Sequence, residues 1–318
     1  MTLETRLTRL LGIDAPILQA GMSVHTSPEL VSAVSNAGGL GIVGSVFREP
    51  DDFRAVLRRV RELTDRPFGA NIVLSEPWDD YAEIILGERV PVISTSWGDP
   101  TPIVELARQY GARVVHQVES VAEVGPAVAA GVDILIAQGG DGGGHVGKVG
   151  TIALVPAVVD VAGDVPVVAA GGIADGRGLA AALMLGADGV LVGTRFLATH
   201  ESPVPLGWKQ ALLAANPEDA WQTDMPDLLE ETVWPGATVR VLANQPVRDW
   251  HGRDNEIAGN RDAIRAGIDR AWESDDAEGY FLYAGNSAGL IHEIVPAADV
   301  VSSMVAEAER ALNARPIP

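Results

Sequence analysis

Between Pro16 and Arg195 one unit recurs: a short apolar run rich in Val and Ile, a Gly or polar turn, then Ala, Leu and Val at helical spacing. Such alternation predicts parallel strands joined by helices. The runs at 17–20, 40–44, 68–74, 90–94, 113–118, 133–138, 165–170 and 189–193 are the expected strands. Ser27-Pro28-Glu29, Asp99-Pro100-Thr101-Pro102 and Glu119-Ser120 read as helix starts, and several helical stretches end in Gly-Ala or Ala-Gly before the next strand. Eight such units in series favour an α/β fold closed into a (β/α)₈ TIM barrel over an open doubly wound sheet.

The pattern changes after Phe196. Residues 204–289 hold most of the tryptophans, several prolines and charged helical stretches such as 260–275, without buried-strand runs. The expected organisation is therefore a barrel over 1–203, an appended mainly helical second domain over 204–289, and a segment over 290–318 whose helix returns to the barrel. On that last helix Val300, Val301, Met304, Val305, Ala308 and Leu312 fall on one face. The middle segment is either structural cover or a lid that shapes a substrate pocket, and the pattern leaves both open.

Composition narrows the chemistry. The 318-residue chain is 47% hydrophobic, enough for a substantial core, and its 43 acidic residues against 23 Lys and Arg give a formal charge of −20. A polyanion would be repelled at long range, so nucleic acid is not an expected partner. With no cysteine, disulfides, thiolate nucleophiles, iron–sulfur clusters and Cys-ligated zinc are excluded, and no HxH or HExxH pair suggests any other metal site. Apolar runs near the start are short and broken by Asp14 and Pro16, and none elsewhere approaches the length of a membrane span. The expectation is a cytoplasmic protein with no membrane partner.

Two strands carry the strongest chemical signal. Val165 to Gly176 runs out through Ala170-Gly171-Gly172-Ile173, and Leu185 to Arg195 runs out through Gly193-Thr194. In a barrel the loops after strands seven and eight lie side by side at the catalytic face, where glycines leave backbone N–H groups free to approach a phosphate. Glycine also closes tight turns that bind nothing. The pairing of two such loops, in this order, favours the anion cradle. Other glycine patterns do not survive inspection. Residues 142–147 and 39–44 both fit GxGxxG, but neither lies at the first strand–helix turn of an open sheet. Gly142 to Lys148 spells GxxxxGK, yet Val149 stands where a Walker loop needs Ser or Thr.

The sixth strand leads into Gly139-Gly140-Asp141-Gly142-Gly143-Gly144-His145, which sets a single imidazole among glycines at the active face. A lone histidine is ordinarily a surface or core residue. Its place at a strand's carboxyl end makes His145 the candidate catalytic residue.

At these residues the sequence resembles the nitronate monooxygenases, also called 2-nitropropane dioxygenases, whose near relatives include flavin-dependent quinone and enoyl-ACP reductases. The likeness rests on Ala15 to Met22, Gly38 to Gly41, Gly69-Ala70-Asn71, Ala137 to His145, Ala169 to Ile173, Gly193 to Phe196 and Ala284 to Gly289. It implies a barrel holding FMN, with Gly21 and Met22 lining the flavin ring and Asn71 and Gln138 hydrogen-bonding it. Gln117 is a further candidate for a ring contact. The same resemblance places Gly143, Gly171, Gly172, Gly193 and Thr194 around the ribityl phosphate. His145 would take a proton from a carbon acid or steady an anionic nitronate. Asp141-Gly142 stands where the family commonly has Glu-Ala.

The activity so implied is oxidation of an alkyl nitronate with O₂ to a carbonyl compound and nitrite, FMN carrying the redox chemistry. An NAD(P)H-dependent reductase of quinones or enoyl thioesters is the alternative within the fold. A barrel that binds a phosphorylated ligand without turnover is the alternative outside enzymology. An IMP dehydrogenase-like barrel would need a catalytic cysteine, which is absent. A homo-oligomer is compatible with the sequence, which leaves the oligomeric state open.

Overall fold

The computed structural model describes residues 3–234 and 236–314; residues 1, 2, 235 and 315–318 of the expected segments lie outside the described residues. The chain opens with α1 (Arg6–Leu11), β1 (Ile17–Gln19), α2 (Pro28–Asn36), β2 (Ile42–Gly44), α3 (Pro50–Leu63) and β3 (Gly69–Val73). There follow α4 (Asp79–Gly87), β4 (Val92–Ser96), α5 (Thr101–Tyr110), β5 (Arg113–Val118), α6 (Val121–Ala130) and β6 (Ile134–Gln138). A short strand, β7 (Gly144–Val146), precedes α7 (Thr151–Val159), β8 (Val167–Ala170), α8 (Gly176–Met184), β9 (Gly189–Val192) and α9 (Thr194–Leu197).

Eight of these strands form one parallel sheet in the order β1-β9-β8-β6-β5-β4-β3-β2. The two ends meet through a parallel bridge between Leu18 and Leu40, which closes the barrel. That seam is short of backbone pairing, and a side chain completes it. The buried Gln19 amide accepts from Ile42 N–H and donates to the carbonyls of Ala20 and Ile42. A carboxamide has the same donor and acceptor as a peptide, so it can stand in for a missing rung.

Alternation along each strand sorts the core into two shells. Leu18, Leu40, Ile42, Val92, Val115, Ile134, Ile136, Val168, Ala170 and Leu191 fill the interior, and Leu7, Leu11 and Ile13 from α1 and its exit pack with them. The neighbouring residues, such as Ile17, Val43, Ala70, Ile93, Val114, Leu135, Val167 and Val190, pack outward against the helices. α1 starts on a Thr5 capping box and ends at Gly12 in the left-handed region. Of the expected caps, the Ser27 hydroxyl accepts from Leu30 N–H and the Asp99 carboxylate from Thr101 N–H. Glu119-Ser120 does otherwise: Ser120 makes no side-chain cap, and Glu119 turns inward with 8% exposure.

The appended segment contains α10 (Leu206–Ala214), β10 (Ala220–Thr223), α11 (Met225–Glu230), β11 (Thr238–Leu242), α12 (Gln245–Trp250) and α13 (Asp254–Glu273). Strands were not expected here. β11 pairs antiparallel with β10 on one side and with β7 on the other, so the segment is stitched to the loop after β6. A second apolar cluster, built on Trp208, Leu212, Leu242, Tyr280, Leu282 and Ile291, reaches Ala174, Leu197 and Met22, which follow barrel strands at their carboxyl ends. The segment therefore lies against the carboxyl-end face. The last helix, α14 (Ala297–Asn313), packs Val300, Val301, Met304 and Ala308 into the outer shell beside α8 and α2. Leu312, expected on that face, is 38% exposed in the helix's final turn.

Candidate active site

Residues that point inward at the carboxyl ends of the strands are polar, where those deeper in the barrel are apolar. Asn71 on β3 donates through Nδ2 to the carbonyl oxygen of Ser94 at 3.2 Å and to its hydroxyl at 3.4 Å. On the next strands Gln117 Nε2 donates to Gln138 Oε1 at 2.7 Å and to Glu119 Oε1 at 2.7 Å. Gly21 lies against Asn71, since a Cβ on it would fall 2.6 Å from Asn71 Cβ. Gly142 lies over the other pair, its added Cβ 3.4 Å from Gln138 Nε2. One rim of the mouth thus collects Gly21 and Asn71, and the other Gln117 and Gln138.

Around the remaining arc, Gly171 and Gly172 follow β8 with φ of +101° and +74°, a conformation that disfavours any side chain. Among the described residues the N–H groups of Gly143, Gly171 and Gly172 donate to no protein acceptor. The loop that holds them is pinned. Asp141 Oδ2 accepts from Thr151 N–H at 2.7 Å, the Asp141 carbonyl accepts from Asn286 N–H at 3.1 Å, and the Thr151 hydroxyl donates to the Gly171 carbonyl at 3.0 Å. Asp141 thus ties three segments together. Gly143 is glycine for a different reason: a Cβ would lie 2.6 Å from the carbonyl carbon of Ala284 and from Gly285 N. Gly285 N–H in turn donates to the Thr194 hydroxyl at 3.0 Å. Gly193 has room for a Cβ, which would make ordinary van der Waals contact with Met22 Sδ at 3.5 Å and Ala20 Cβ at 3.7 Å.

His145 stands on β7 opposite Val239 of β11, so its position is set by the appended segment. Its Nε2 is 2.8 Å from Asp227 Oδ1, and its ring stacks on Trp234 with centroids 4.0 Å apart. Trp97, just past β4, meets Trp234 edge to face at 5.5 Å. Nδ1 of His145 makes no hydrogen bond within the described residues. Two other histidines are held neutral by burial. His25, packed against Trp208, and His116, bonded to Thr95 Oγ1, are both lowered to about 4, chiefly by desolvation. Glu119 moves the other way, to about 8, because burial disfavours its carboxylate and Glu123 lies beside it.

Every expected site residue is thus found at the carboxyl-end loops or strand ends. Sequence reasoning missed Asp227, Trp234, Trp97, Thr151 and Glu119. The concentration of tryptophans in 204–289 was a signal for Trp234; Asp227, 82 positions from His145, had none. Two surface cavities lie elsewhere. One of about 580 Å³ is lined by Arg177, Arg195, His292 and Arg310 among others, and one of about 170 Å³ by Thr223, Trp250 and His251. Neither includes any residue expected from sequence to bind cofactor or substrate. Among the described residues no group of His, Asp and Glu could hold a metal ion, and no helix is long and apolar enough to cross a membrane.

Comparison with known proteins agrees with this architecture. A family model described as nitronate monooxygenase matches residues 4–84 and 72–307. A probable nitronate monooxygenase of Staphylococcus saprophyticus is 30% identical over 98% of this chain and all of its own length. A chain of Mycobacterium tuberculosis named (3aS,4S,5R,7aS)-5-hydroxy-7a-methyl-1-oxo-octahydro-1H-indene-4-carboxyl-CoA dehydrogenase is 44% identical over 68% of this chain. That match spans only 61% of the dehydrogenase. Among solved structures, FabK from Thermotoga maritima superposes with a TM-score of 0.88 at 38% identity, covering 97% of each chain. A nitroalkane oxidase from Streptomyces ansochromogenes gives 0.83 at 30% identity, covering 96% of this chain and 98% of its own.

Proposed function

Since the chain belongs to the nitronate monooxygenase family, we propose that it is an FMN-dependent oxidoreductase that removes a proton and electrons from a carbon acid, with alkyl nitronates and their parent nitroalkanes as substrates. The observation that carries this reading is the His145–Asp227 pair, 2.8 Å apart, on the loop that follows β6 at the barrel mouth and also carries Gly143 with its free N–H.

The residues present fit a flavin mononucleotide. Free N–H groups at Gly143, Gly171 and Gly172 suit a phosphate, and the inward amides of Asn71, Gln117 and Gln138 suit the imide edge of a flavin ring. Gly193 and Thr194 would border the phosphate, and Gly21 and Met22 the ring. When bound, FMN would supply the electron-accepting chemistry that no side chain of this chain offers, O₂ being the final acceptor.

The protein's own part is the proton. Asp227 accepts the Nε2 hydrogen of His145, which fixes the tautomer and leaves Nδ1 as the basic nitrogen. Trp234 holds the plane of the imidazole by stacking on it, and Trp97 backs Trp234. After proton transfer the imidazolium is steadied by the Asp227 carboxylate and is itself the local cation that an anionic nitronate needs in a chain of net charge −20.

A second reading takes the substrate to be a thioester, processed with or without NAD(P)H. It is favoured by the 44% identity to a protein named as a carboxyl-CoA dehydrogenase. Anaerobic mixing of the yellow holoprotein separately with propionate 3-nitronate, 2-nitropropane, an acyl-CoA, NADH and NADPH discriminates them. Bleaching by the nitro compounds is expected. With His145→Asn, reduction by the neutral nitroalkane should fall by about 10²- to 10⁴-fold, with a smaller loss for the nitronate. Bleaching by NAD(P)H or acyl-CoA alone would replace the first reading with the second, and protein that binds no FMN would overturn both.

A further inference from the structure

Glu119 is a carboxyl group buried one step beyond the barrel interior, and neither proton transfer nor phosphate binding uses it. It follows β5, is 8% exposed, and lies under the loop that carries His145, where a Cβ on Gly147 would fall 2.8 Å from Glu119 Cβ. A solvated face would hold such a group at no cost, so its burial next to the inward amides calls for a reason.

The hydrogen bonds supply one. Gln117 Nε2 has two hydrogens, and both are spoken for: one goes to Glu119 Oε1 and the other to Gln138 Oε1, each at 2.7 Å. Two groups are left over, Gln117 Oε1 and Gln138 Nε2, and neither has a protein partner among the described residues. The mouth is therefore offered one acceptor and one donor side by side. A flavin's pyrimidine edge carries an imide N–H flanked by carbonyl oxygens, which is the complementary pattern. Held protonated below about pH 8, Glu119 has one O–H to give, and the Glu123 carboxylate beside it takes that hydrogen, which leaves Oε1 an acceptor; Gln117 turned about would then set its own carbonyl oxygen against that oxygen. Glu123 holds Glu119 from the other side by accepting Glu119 N–H at 2.9 Å.

We propose that Glu119 is a positioning residue that orients the carboxamides of Gln117 and, through it, Gln138, so that the pair presents one acceptor and one donor to the flavin. This rests on the reading of the mouth as an FMN site. Its function is exerted at one remove, since Glu119 touches Gln117 and leaves the cofactor contact to the two amides.

The test is FMN binding by the full chain, stripped of cofactor and titrated while flavin fluorescence and the visible absorption bands are recorded. Glu119→Ala should weaken FMN by roughly 3- to 10-fold, the range set by one hydrogen bond's net contribution, and shift the absorption bands. Glu119→Gln keeps a carbonyl oxygen for Gln117 and gives Glu123 a side-chain N–H in place of the carboxyl O–H, so it should bind within twofold of wild type. In the double variant with Gln117→Ala, the Glu119→Ala substitution should add no further loss. Unchanged affinity in Glu119→Ala, or losses that multiply in the double variant, would overturn the proposal. If Glu119→Ala does not fold, a tenfold loss in a Glu119→Gln protein of native melting temperature does the same. Wild-type chain that fails to take up FMN would instead remove the reading of the site on which this rests.

Discussion

Replacing Glu119 by Gln should change how stability depends on pH, and the size of the change follows from burial. In the folded chain the Glu119 carboxyl is raised from its ordinary 4.5 to about 8, first by desolvation and then by Glu123. Between those two values the unfolded chain has released a proton that the folded chain keeps, so folding takes up a proton and stability falls as the pH rises. Above 8 both states are ionised and the loss stops. Each unit of this window costs about 1.4 kcal/mol, so between pH 6.5 and pH 9 the wild type should lose about 2 kcal/mol relative to Glu119→Gln. His25 and His116, lowered from 6.5 to about 4, act with the opposite sign and below that range, since the unfolded chain binds protons there that the folded chain refuses. Working above pH 6.5 keeps them out of the comparison. Urea unfolding of both proteins at pH 6.5, 7.5 and 9 measures the difference. A wild-type minus variant difference that stays flat across that series would show that Glu119 ionises normally and that its burial is not felt.

Asp227→Asn should leave FMN affinity within twofold and reduce turnover of a neutral nitroalkane by about tenfold or more, with a smaller effect on the nitronate; equal losses on both substrates in stopped-flow reduction would make Asp227 a structural partner of His145 only. Gly193→Ala should leave the melting temperature unchanged, because its Cβ meets nothing closer than 3.5 Å and its φ of −106° suits any residue, while weakening FMN in a fluorescence titration. Gly143→Ala, with backbone atoms 2.6 Å from the new Cβ, should instead destabilise the fold by about 1–3 kcal/mol in urea, cofactor or not; the opposite ranking of the two variants would reverse the roles given to these glycines.

The barrel was legible because each of its strands is a continuous apolar run with a turn signal after it. Two of the boundary errors fell where proline intervenes. The fourth run was expected at 90–94, but β4 is Val92–Ser96: Val90 N–H closes the preceding helix on Ile85, and Pro91 has no N–H to give the ladder. The seventh was expected from Val165, yet pairing begins at Val167, after Pro166. In the appended segment β11 reads Thr-Val-Arg-Val-Leu, a half-buried alternation too short to stand out among helices, and what makes it a strand is its partner β7 in the distant glycine loop. Glu119-Ser120 does precede a helix, and the inward turn of Glu119 had no signal because acid-Ser before an apolar run is an ordinary helix start. Nothing local distinguishes a carboxylate that caps a helix from one that turns into a barrel.

The site follows the same division. Residues set by the barrel itself, Asn71, Gln117, Gln138 and the glycines after β8 and β9, sit at strand ends whose positions the apolar pattern dictates, so their convergence could be read from the chain. The partners of His145 could not, because Asp227 and Trp234 reach it only through the pairing of β11 with β7, a contact made across some ninety residues of chain. On the proposed reading this separates two properties that could change independently. The barrel would hold the cofactor, and the appended segment would set both the orientation of the His145 ring and the aromatic walls around the reacting carbon. Substitutions in residues 225–242 should then alter which carbon acid is accepted while FMN stays bound, and that is also the stretch where a thioester-handling relative of this chain would be expected to differ from a nitronate-handling one.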